Sequence, residues 1–429
     1  MTIVPFPKFG AGIGLHRVRA ISQALGLDLA AFGARACVVT GSNGKGSVAA
    51  MAAAILAEAE ADVGLFTSPH LLALNERFAI DGDAIDDASL ERHWARVLAA
   101  CEAYERMHPD DRVGGFEFLF LIAASWFSEQ RCAFTVWEAG IGGRYDPVRL
   151  IAAPRAALVS LDLEHTALLG ETLEQIAYDK SEACAEGGTL FIGAITAELE
   201  RRLEAYCALR RVRARFVRQW RAGKDGAIEI ELDGARLRVR APLSGPHQRN
   251  NTAVAVELAY DMLRKSGLAH ARACAAIEAG LAATRWPGRL EAIEEKPPIV
   301  IDVGHTPAAI VSARAGFCAS HRPCVLVCGA SHDKAAEDMI AALAPDFRVI
   351  VCAQANHKGR PAAEIAALAR RFNEAAEIIV ADSIADARRT ALHRAEALHG
   401  AIYVAGGLFL AAEFKAAHLG LDPRGLRFF

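Results

Sequence analysis

Short apolar runs rich in β-branched residues alternate with helical stretches along most of the chain, and this alternation constrains the fold more than any other feature. Between residues 298 and 407 there are five such runs, PIVIDVG, CVLVCG, RVIVCA, EIIVAD and AIYVAGG. Runs without polar alternation are typical of parallel strands that helices cover on both faces. We therefore predict a Rossmann-like, doubly wound α/β domain over residues 286–429.

The N-terminal part follows the same pattern, and its candidate strands are residues 36–40, 134–137, 157–161 and 189–192. An alanine-rich helical stretch over residues 47–61 follows the first of them. These features predict an α/β domain with a parallel sheet over residues 1–285. The turn Trp286-Pro287-Gly288 marks its end and a hinge to the next domain.

One segment of the N-terminal part has a different period. In IEIELDGARLRVR, apolar and polar residues alternate on both sides of Asp233-Gly234, which is typical of a β-hairpin. We therefore predict a small antiparallel insertion near residues 211–243.

Charge and composition narrow the class of protein. The 48 basic and 51 acidic residues nearly balance, so no global field attracts nucleic acid or an anionic membrane. Eight arginines between Arg201 and Arg221 favour a solvated helix face, with a nucleic-acid patch as the alternative. Ten cysteines without a CxxC pair suit a reducing compartment, and no long apolar span or signal segment stands out. We expect a soluble, cytoplasmic monomer that acts on small molecules.

The residues Thr40 to Ser47, TGSNGKGS, form a glycine-rich turn between a predicted strand and a predicted helix. Glycines let backbone N–H groups turn towards phosphate oxygens, and a helix N-terminus favours an anion. Lys45 supplies a positive charge, and the Ser47 hydroxyl is a ligand for Mg²⁺. The spacing differs from GxxxxGK[ST], so an ordinary glycine turn is the alternative to phosphate binding.

Further motifs follow in a fixed order. They are Thr67-Ser68-Pro69-His70-Leu71, Asn75-Glu76-Arg77-Phe78, Phe116-Glu117-Phe118, Glu138-Ala139-Gly140-Ile141-Gly142-Gly143-Arg144, His165, Asp179-Lys180, Gly245-Pro246-His247-Gln248 with Asn251, Pro287-Gly288-Arg289 and Asp302-Val303-Gly304-His305. With GxxGKGS, this ordered set resembles the folylpolyglutamate synthase and dihydrofolate synthase family of the Mur ligase superfamily. The resemblance runs from about residue 12 to the end of the sequence.

The resemblance implies an ATP- and Mg²⁺-dependent ligase that joins an acid to an amino acid through an acyl phosphate. The implied nucleotide-binding residues are Gly41, Asn43, Gly44, Lys45, Gly46, Ser47, His247, Gln248, Asn251, Arg289 and Asp302. Two Mg²⁺ ions would be held by Ser47, Ser68, Glu138 and His165. The implied catalytic residues are Lys45, Glu138, His165 and a carbamylated Lys180.

The predicted substrate-binding residues are Arg77 and Asp146, together with His305 and Ser331 at strand ends, and Arg149, which could pair with a carboxylate of the acceptor. Simpler interpretations stand beside these roles: a surface ion pair for Glu138, a structural His165, an exposed helix lysine at Lys180, and loop termination at His305 and Ser331.

The sequence departs from the family at two places near the substrates. An Ala-Thr-Asn tripeptide is replaced by Pro147-Val148-Arg149, and the family's His-Asn-Pro is His305-Thr306-Pro307. The leading hypothesis is L-glutamate addition to dihydropteroate or a (tetrahydro)folate. Arg149 and Thr306 motivate the alternative of a paralogue acting on a non-folate acid. A non-catalytic nucleotide-binding regulator and a nucleic-acid-stimulated ATPase are alternatives from other classes.

Overall fold

A sheet of eight strands forms the centre of the N-terminal part. The computed structural model describes residues 4–7, 10–60, 62–218, 220–223 and 227–428. The strands are β1 (Ala36–Thr40), β2 (Val63–Phe66), β3 (Phe78–Ile80), β4 (Asp83–Ala84), β5 (Phe134–Glu138), β6 (Arg155–Leu158), β7 (Thr189–Ile192) and β8 (Arg213–Phe216). Their order is β4-β3-β2-β5-β1-β6-β7-β8, and only the β2–β3 and β3–β4 pairs are antiparallel.

Helices cover both faces of this sheet. They are α1 (Leu15–Ala24), α2 (Lys45–Ala57), α3 (Asp87–Met107), α4 (Gly115–Glu129), α5 (Thr166–Leu169), α6 (Leu173–Ser181), α7 (Ala197–Leu209), α8 (His247–Lys265) and α9 (His270–Ala283). The sequence of α4, GFEFLFLIAASWFSE, is apolar almost all round, and the helix lies in the core on one face with α1 and α3. The alanine-rich α2 packs with α8 and α9 on the other face. The predicted parallel sheet between two helical layers is confirmed.

The predicted antiparallel insertion is present, but it begins later than predicted, because Arg213–Phe216 form strand β8 of the large sheet. It consists of β9 (Trp220–Ala222), β10 (Ala227–Leu232) and β11 (Ala235–Arg240), in the order β11-β10-β9. Ile228 pairs with Val239 and Ile230 pairs with Leu237, and all four side chains are buried. Residues 219 and 224–226 of the predicted insertion lie outside the described residues.

A six-stranded sheet forms the centre of the C-terminal part. Its strands are β12 (Glu291–Glu295), β13 (Pro298–Asp302), β14 (Cys324–Cys328), β15 (Val349–Cys352), β16 (Glu377–Val380) and β17 (Ala401–Ala405). Its helices are α10 (Pro307–Cys318), α11 (Ala336–Leu343), α12 (Ala362–Phe372), α13 (Ile384–Leu398) and α14 (Leu408–His418). The strand order is β12-β13-β17-β14-β15-β16, and β12 alone is antiparallel to its neighbour.

The five predicted C-terminal strands are β13 to β17, and the Rossmann-like arrangement is confirmed. The edge strand β12 was not predicted, because its sequence EAIEE is mostly charged and strand propensity is low for glutamate. The domain boundary near residue 286 stays a prediction; it falls between the end of α9 and the start of β12. Within the described ranges, no helix is both long and apolar enough to cross a bilayer.

Candidate active site

The glycine-rich loop joins β1 to α2, as predicted. Gly44 precedes the first residue of α2 with φ +83°, a conformation that favours glycine. A Cβ atom at Gly44 would lie 2.8 Å from Asn251 Oδ1, and one at Gly46 would lie 2.7 Å from Cζ2 of Trp286. The loop therefore needs small residues because α8 and the Trp286 ring approach its backbone closely.

A second loop, after β6, holds the glycine-rich loop in place. The Ser160 hydroxyl donates to the Asn43 carbonyl (2.8 Å) and accepts from the Asn43 N–H (2.9 Å). The Ser42 hydroxyl accepts from the Asp162 N–H at 2.9 Å. Ser160 and Asp162 were not predicted as site residues, because the strand was predicted over 157–161 whereas β6 ends at Leu158. Their position at the carboxyl end of that strand is the signal that was available.

The Lys45 side chain curls over the loop. Its Nζ atom donates to the carbonyls of Gly41 (2.9 Å) and Ser42 (3.2 Å). Both partners are neutral backbone acceptors, so the positive charge of Lys45 is available to an anion at the N-terminus of α2.

Glu138 is the last residue of β5 and is 4% exposed. Its Oε2 accepts from the Ser68 N–H at 3.0 Å, which brings two predicted metal-binding residues together. Burial raises the pKa of the Glu138 carboxyl, while Lys45 and the Ser68 amide oppose that rise. The Ser47 hydroxyl is buried and accepts from Gln248 Nε2 at 3.3 Å.

Lys180 is buried and reaches the glycine-rich loop from α6. Its Nζ donates to the Gly41 carbonyl (3.0 Å) and to Glu164 Oε1 (2.9 Å). Burial and the nearby Lys45 lower the pKa of Lys180, and Glu164 opposes this. His165, the residue after Glu164, has an exposed side chain and a left-handed backbone conformation with φ +48°. Lys180 therefore contacts the glycine-rich loop, whereas the His165 side chain is exposed to solvent.

The remaining residues predicted to bind the nucleotide come from α8 and from the start of the C-terminal part. Asn251 Nδ2 donates to Gln248 Oε1 (2.9 Å), and His247 Nδ1 lies 2.9 Å from the Ser312 hydroxyl on α10. Burial lowers the pKa of His247. The Arg289 Nε atom is buried and has no hydrogen-bond partner among the described residues.

Two of the predicted ligand-binding carboxylates are engaged by backbone N–H groups. Asp302 accepts from Leu290 (3.1 Å) and Gly304 (2.8 Å). Asp146 accepts from Gly140 (2.8 Å), from Ile141 (2.9 Å) and from Val148 (3.1 Å). Burial raises the pKa of Asp146 to about 6 despite these bonds. Both carboxylates shape the loops that follow β5 and β13.

The two arginines predicted to bind substrate also have protein partners. Arg77 is fully buried, and its Nε donates to His70 Nδ1 at 2.9 Å. Arg149 Nη2 lies 2.9 Å from Glu182 Oε2, and its Nη1 donates to the Arg144 carbonyl at 2.9 Å. Arg149 stands where the sequence departs from the family, and its guanidinium is thus bound by other groups of the protein.

His305 and Ser331 lie at the carboxyl ends of β13 and β14. Ser331 makes a single antiparallel bridge with Gly359 and lines a cavity of about 10 Å³, whose other walls include His357 and Phe409. His305 is exposed, and its Nδ1 lies 3.4 Å from the Val303 carbonyl. Both residues follow strands of the C-terminal sheet, and their role in binding the amino acid stays a prediction.

Comparison with known proteins identifies the relatives of this chain. A model of the Mur ligase glutamate ligase domain matches residues 288–408. The Bacillus subtilis dihydrofolate synthase/folylpolyglutamate synthase is 31% identical over 311 residues, which cover 70% of each chain. The chain belongs to the folylpolyglutamate synthase/dihydrofolate synthase family of the Mur ligase superfamily.

Other family members extend the match in length and in fold. A probable bifunctional folylpolyglutamate synthase/dihydropteroate synthase from Halobacterium salinarum is 32% identical over 88% of this chain, but the chain spans only 46% of that protein. The apo form of L. casei FPGS superimposes with a TM-score of 0.81 at 28% identity and 97% coverage of both chains. A Mycobacterium tuberculosis folylpolyglutamate synthase has the same fold, with a TM-score of 0.84, 24% identity and 96% coverage of both chains.

The donor set of this family member fits ATP with magnesium. Glu138 and the hydroxyls of Ser47 and Ser68 are hard oxygen donors, which Mg²⁺ prefers. Within the described residues, no group of three or more His, Cys, Asp or Glu side chains forms a metal cage. Mg²⁺ in phosphoryl-transfer enzymes is usually held by one or two carboxylates together with phosphate oxygens and water. The buried Nε of Arg289, which has no hydrogen-bond partner among the described residues, fits a phosphate ligand.

Proposed function

We propose that the chain is an ATP- and Mg²⁺-dependent ligase that joins L-glutamate to dihydropteroate or a (tetrahydro)folate. Family membership supports the class of reaction, and the name of the Bacillus subtilis relative supports the substrates. The observation that carries the proposal is the position of Lys45 and Glu138. Lys45 begins α2 after the loop that follows β1, and Glu138 ends the adjacent parallel strand β5, with the Ser68 N–H hydrogen-bonded to Glu138.

The proposed reaction has two steps. A carboxylate oxygen of the acceptor attacks the γ-phosphorus of ATP, and ADP leaves with the electrons of the broken P–O bond. The amine of the amino acid then attacks the acyl carbon, phosphate leaves, and the amine loses a proton. Lys45 and the N-terminus of α2 stabilise the charge that develops on the phosphoryl oxygens in the first step.

Ser47, Ser68, Glu138 and His165 would hold two Mg²⁺ ions, which neutralise phosphate charge when they are bound. Because the His165 side chain is exposed, it can approach a ligand without any rearrangement of the core. Arg289, His247, Gln248 and Asn251 line the nucleotide side. The M. tuberculosis relative of the same fold was solved with ADP and AMPPCP, which supports a nucleotide site in this fold.

Carbamylation of Lys180 is part of the proposal. Carbon dioxide adds to a neutral amine, and burial together with Lys45 favours the neutral form of Lys180. The carbamate would exchange a cation for an anion beside the metal-binding residues. A ¹³C-bicarbonate NMR signal that disappears in Lys180→Ala is the expected result; the same signal in both proteins would exclude this modification.

We further propose that the protein is cytoplasmic and monomeric. All ten cysteines are free thiols in the structure, which supports a reducing compartment.

The test is phosphate and amide formation with ATP and Mg²⁺ in a grid of acceptors and amino acids. The acceptors are dihydropteroate, tetrahydrofolate and several unrelated aryl acids. We expect amide formation only when a pterin acid and glutamate are both present. Amide formation with another pair would keep the ligase mechanism and reject the folate assignment, whereas ATP binding without any amide product would favour the nucleotide-binding regulator.

A further inference from the structure

The loop of residues 67–77 leaves the N-terminal sheet after β2 and enters the core of the C-terminal part. The Thr67 N–H donates to the Arg77 carbonyl at 3.0 Å and closes the loop. The Glu76 carboxylate accepts from the N–H groups of Leu71 and Ala73 (2.7 and 2.8 Å). Leu71 is 6% exposed and packs with apolar residues of the C-terminal sheet. The loop is therefore internally braced and anchored in both parts.

Two buried side chains of this loop contact residues 426–428, which we call the tie. Arg77 Nε donates to His70 Nδ1, so the proton of the neutral imidazole is on Nε2. That nitrogen donates to the Arg427 carbonyl at 2.6 Å. Arg77 Nη2 donates to the Phe428 carbonyl at 3.1 Å. The loop thus binds the backbone of the tie with two donors.

The ring of Phe428 continues the contact. It lies nearly parallel to the His70 ring, with centroids 5.9 Å apart and an interplanar angle of 9°. On its other side it contacts Phe409 (4.8 Å) and His357 (5.2 Å). Phe409 and His357 are walls of the small cavity beside Ser331.

The tie therefore touches both halves of the proposed active site. On one side it holds the loop whose Ser68 N–H is bonded to Glu138. On the other side it supports the cavity that contains Ser331. The segment before His357 is itself fixed, because the buried Glu413 accepts from the Asn356 N–H (2.7 Å) and the His357 N–H (2.9 Å).

We propose that His70 and Arg77 are positioning residues that act through the tie, keeping the amino-acid side of the site in register with the phosphoryl-transfer side. The inference rests on the proposed ligase function. An acyl phosphate that no amine attacks is hydrolysed by water. The tie therefore governs how much phosphate is released by aminolysis and how much by hydrolysis.

The test compares two buried phenylalanines of the same apolar core. Phe428→Ala removes the ring of the tie, and Phe414→Ala removes an equally buried ring from α14. We measure phosphate released per amide formed, and positional isotope exchange in ¹⁸O-labelled ATP with acceptor alone. In Phe428→Ala we expect amide formation to fall about 10- to 100-fold. Exchange should be retained, and the phosphate-to-amide ratio should rise well above one.

Phe414→Ala also lowers thermal stability but leaves the Phe428 ring and its contacts with His70, Phe409 and His357 in place, so its ratio should stay at one. Equal ratios in the two variants would overturn the proposal. If Phe428→Ala does not fold, Phe428→Leu replaces it, since leucine keeps an apolar side chain and loses the ring stacking.

Two substitutions of His70 isolate the hydrogen bonds. The glutamine amide offers one donor and one acceptor, as the imidazole does, so His70→Gln should keep the ratio at one. His70→Phe keeps a ring but offers neither, so its ratio should rise. The same ratio in both variants would show that these bonds do not position the site.

Hydrogen exchange without substrates separates this inference from the ligase proposal. In Phe428→Ala, amides of residues 70–77 and 355–360 should exchange faster together, while those of Phe414→Ala should not show this pairing. If the wild-type chain forms no amide, the ligase proposal fails whatever the exchange shows. If it forms amide and the two segments exchange independently, only the tie fails.

Discussion

The carboxyl edges of the two sheets are built differently. At the N-terminal sheet, one continuous stretch, residues 40–47, supplies the loop, the lysine and the hydroxyl, and neighbouring side chains brace it with short hydrogen bonds. At the C-terminal sheet, the cavity of about 10 Å³ is walled by residues that follow three different strands, β14, β15 and β17. The first edge is local in sequence, and the second exists only after the strands have assembled.

This difference predicts different sensitivities. A local anion site depends on a few charged and glycine residues, so single substitutions there should abolish chemistry with little effect on folding. An assembled cavity depends on several weak contacts, so single substitutions there should change the affinity for one substrate.

The largest effect is expected for Lys45→Ala. Amide formation should fall by on the order of 10²–10³-fold, since the side chain supplies preorganised positive charge to the transferring phosphoryl group. Among the described residues, Lys45 Nζ donates to two backbone carbonyls of its own loop, so the melting temperature should hardly change. Lys265→Ala, at the exposed end of α8, is the control and should keep full activity. Full ATP-dependent ligation by Lys45→Ala would refute the mechanism.

The next effect is expected for Gly46→Ala. The added Cβ would lie 2.7 Å from a ring atom of Trp286, and a rigid indole must move to make room. We expect ATP binding, measured by calorimetry, to weaken about tenfold. The same substitution in a Trp286→Ala background should have a much smaller effect, because the clash is gone. Additive effects in the double variant would show that the Trp286 contact is not the cause.

A smaller effect is expected for Ser331→Ala on the assembled edge. Loss of one hydrogen bond to the amino acid should cost about 1–1.5 kcal/mol of binding free energy, which corresponds to about a tenfold rise in the KM for the amino acid. The KM for ATP should not change, because the nucleotide residues lie on the other edge. Steady-state kinetics with each substrate varied in turn provides the measurement. A rise in the KM for ATP would place Ser331 on the wrong side of the cleft.

The smallest effect is expected for Arg149→Asn, which restores an amide at a position that departs from the family. The Arg149 side chain is 39% exposed and paired with Glu182, so the free energy of unfolding should fall by less than about 1 kcal/mol. The KM for the acceptor should stay within about twofold of the wild-type value. Denaturant unfolding and acceptor titration measure the two quantities. A large change in acceptor KM would show that Arg149 contacts the acceptor after all.

Most strands with an unbroken apolar sequence were predicted. The bounds of β1 and β7 agree with the predicted residues, and all five C-terminal runs are strands. Five other strands were missed. β2 and β3 lie inside the large sheet but have only four and three residues, whereas β4, β8 and β12 are edge strands. An edge strand is held by one neighbour and is partly solvated, so its sequence carries little apolar signal.

In the candidate active site, too, some features were predicted from the sequence and others were missed. The Ser68 N–H donates to Glu138 because Glu138 ends β5 and Ser68 follows the neighbouring parallel strand β2; their common metal-binding role stays a prediction. The partners of the predicted substrate residues were not foreseeable. Arg77 is held by His70 and the distant Phe428 carbonyl, and Asp146 by three nearby N–H groups.

The sequence by itself determined two doubly wound sheets, a glycine-rich anion site between the first strand and its helix, and the family to which the chain belongs. Each of these depends on contiguous residues, whose period and conformational freedom act locally. Only the tertiary structure decided which charged side chains are available to a ligand. Arg149, Asp146 and Arg77 have protein partners, some of them far away in sequence. Hydrogen bonds and ion pairs act over a few ångströms in space, and the spacing of residues along a chain does not reveal which groups will meet.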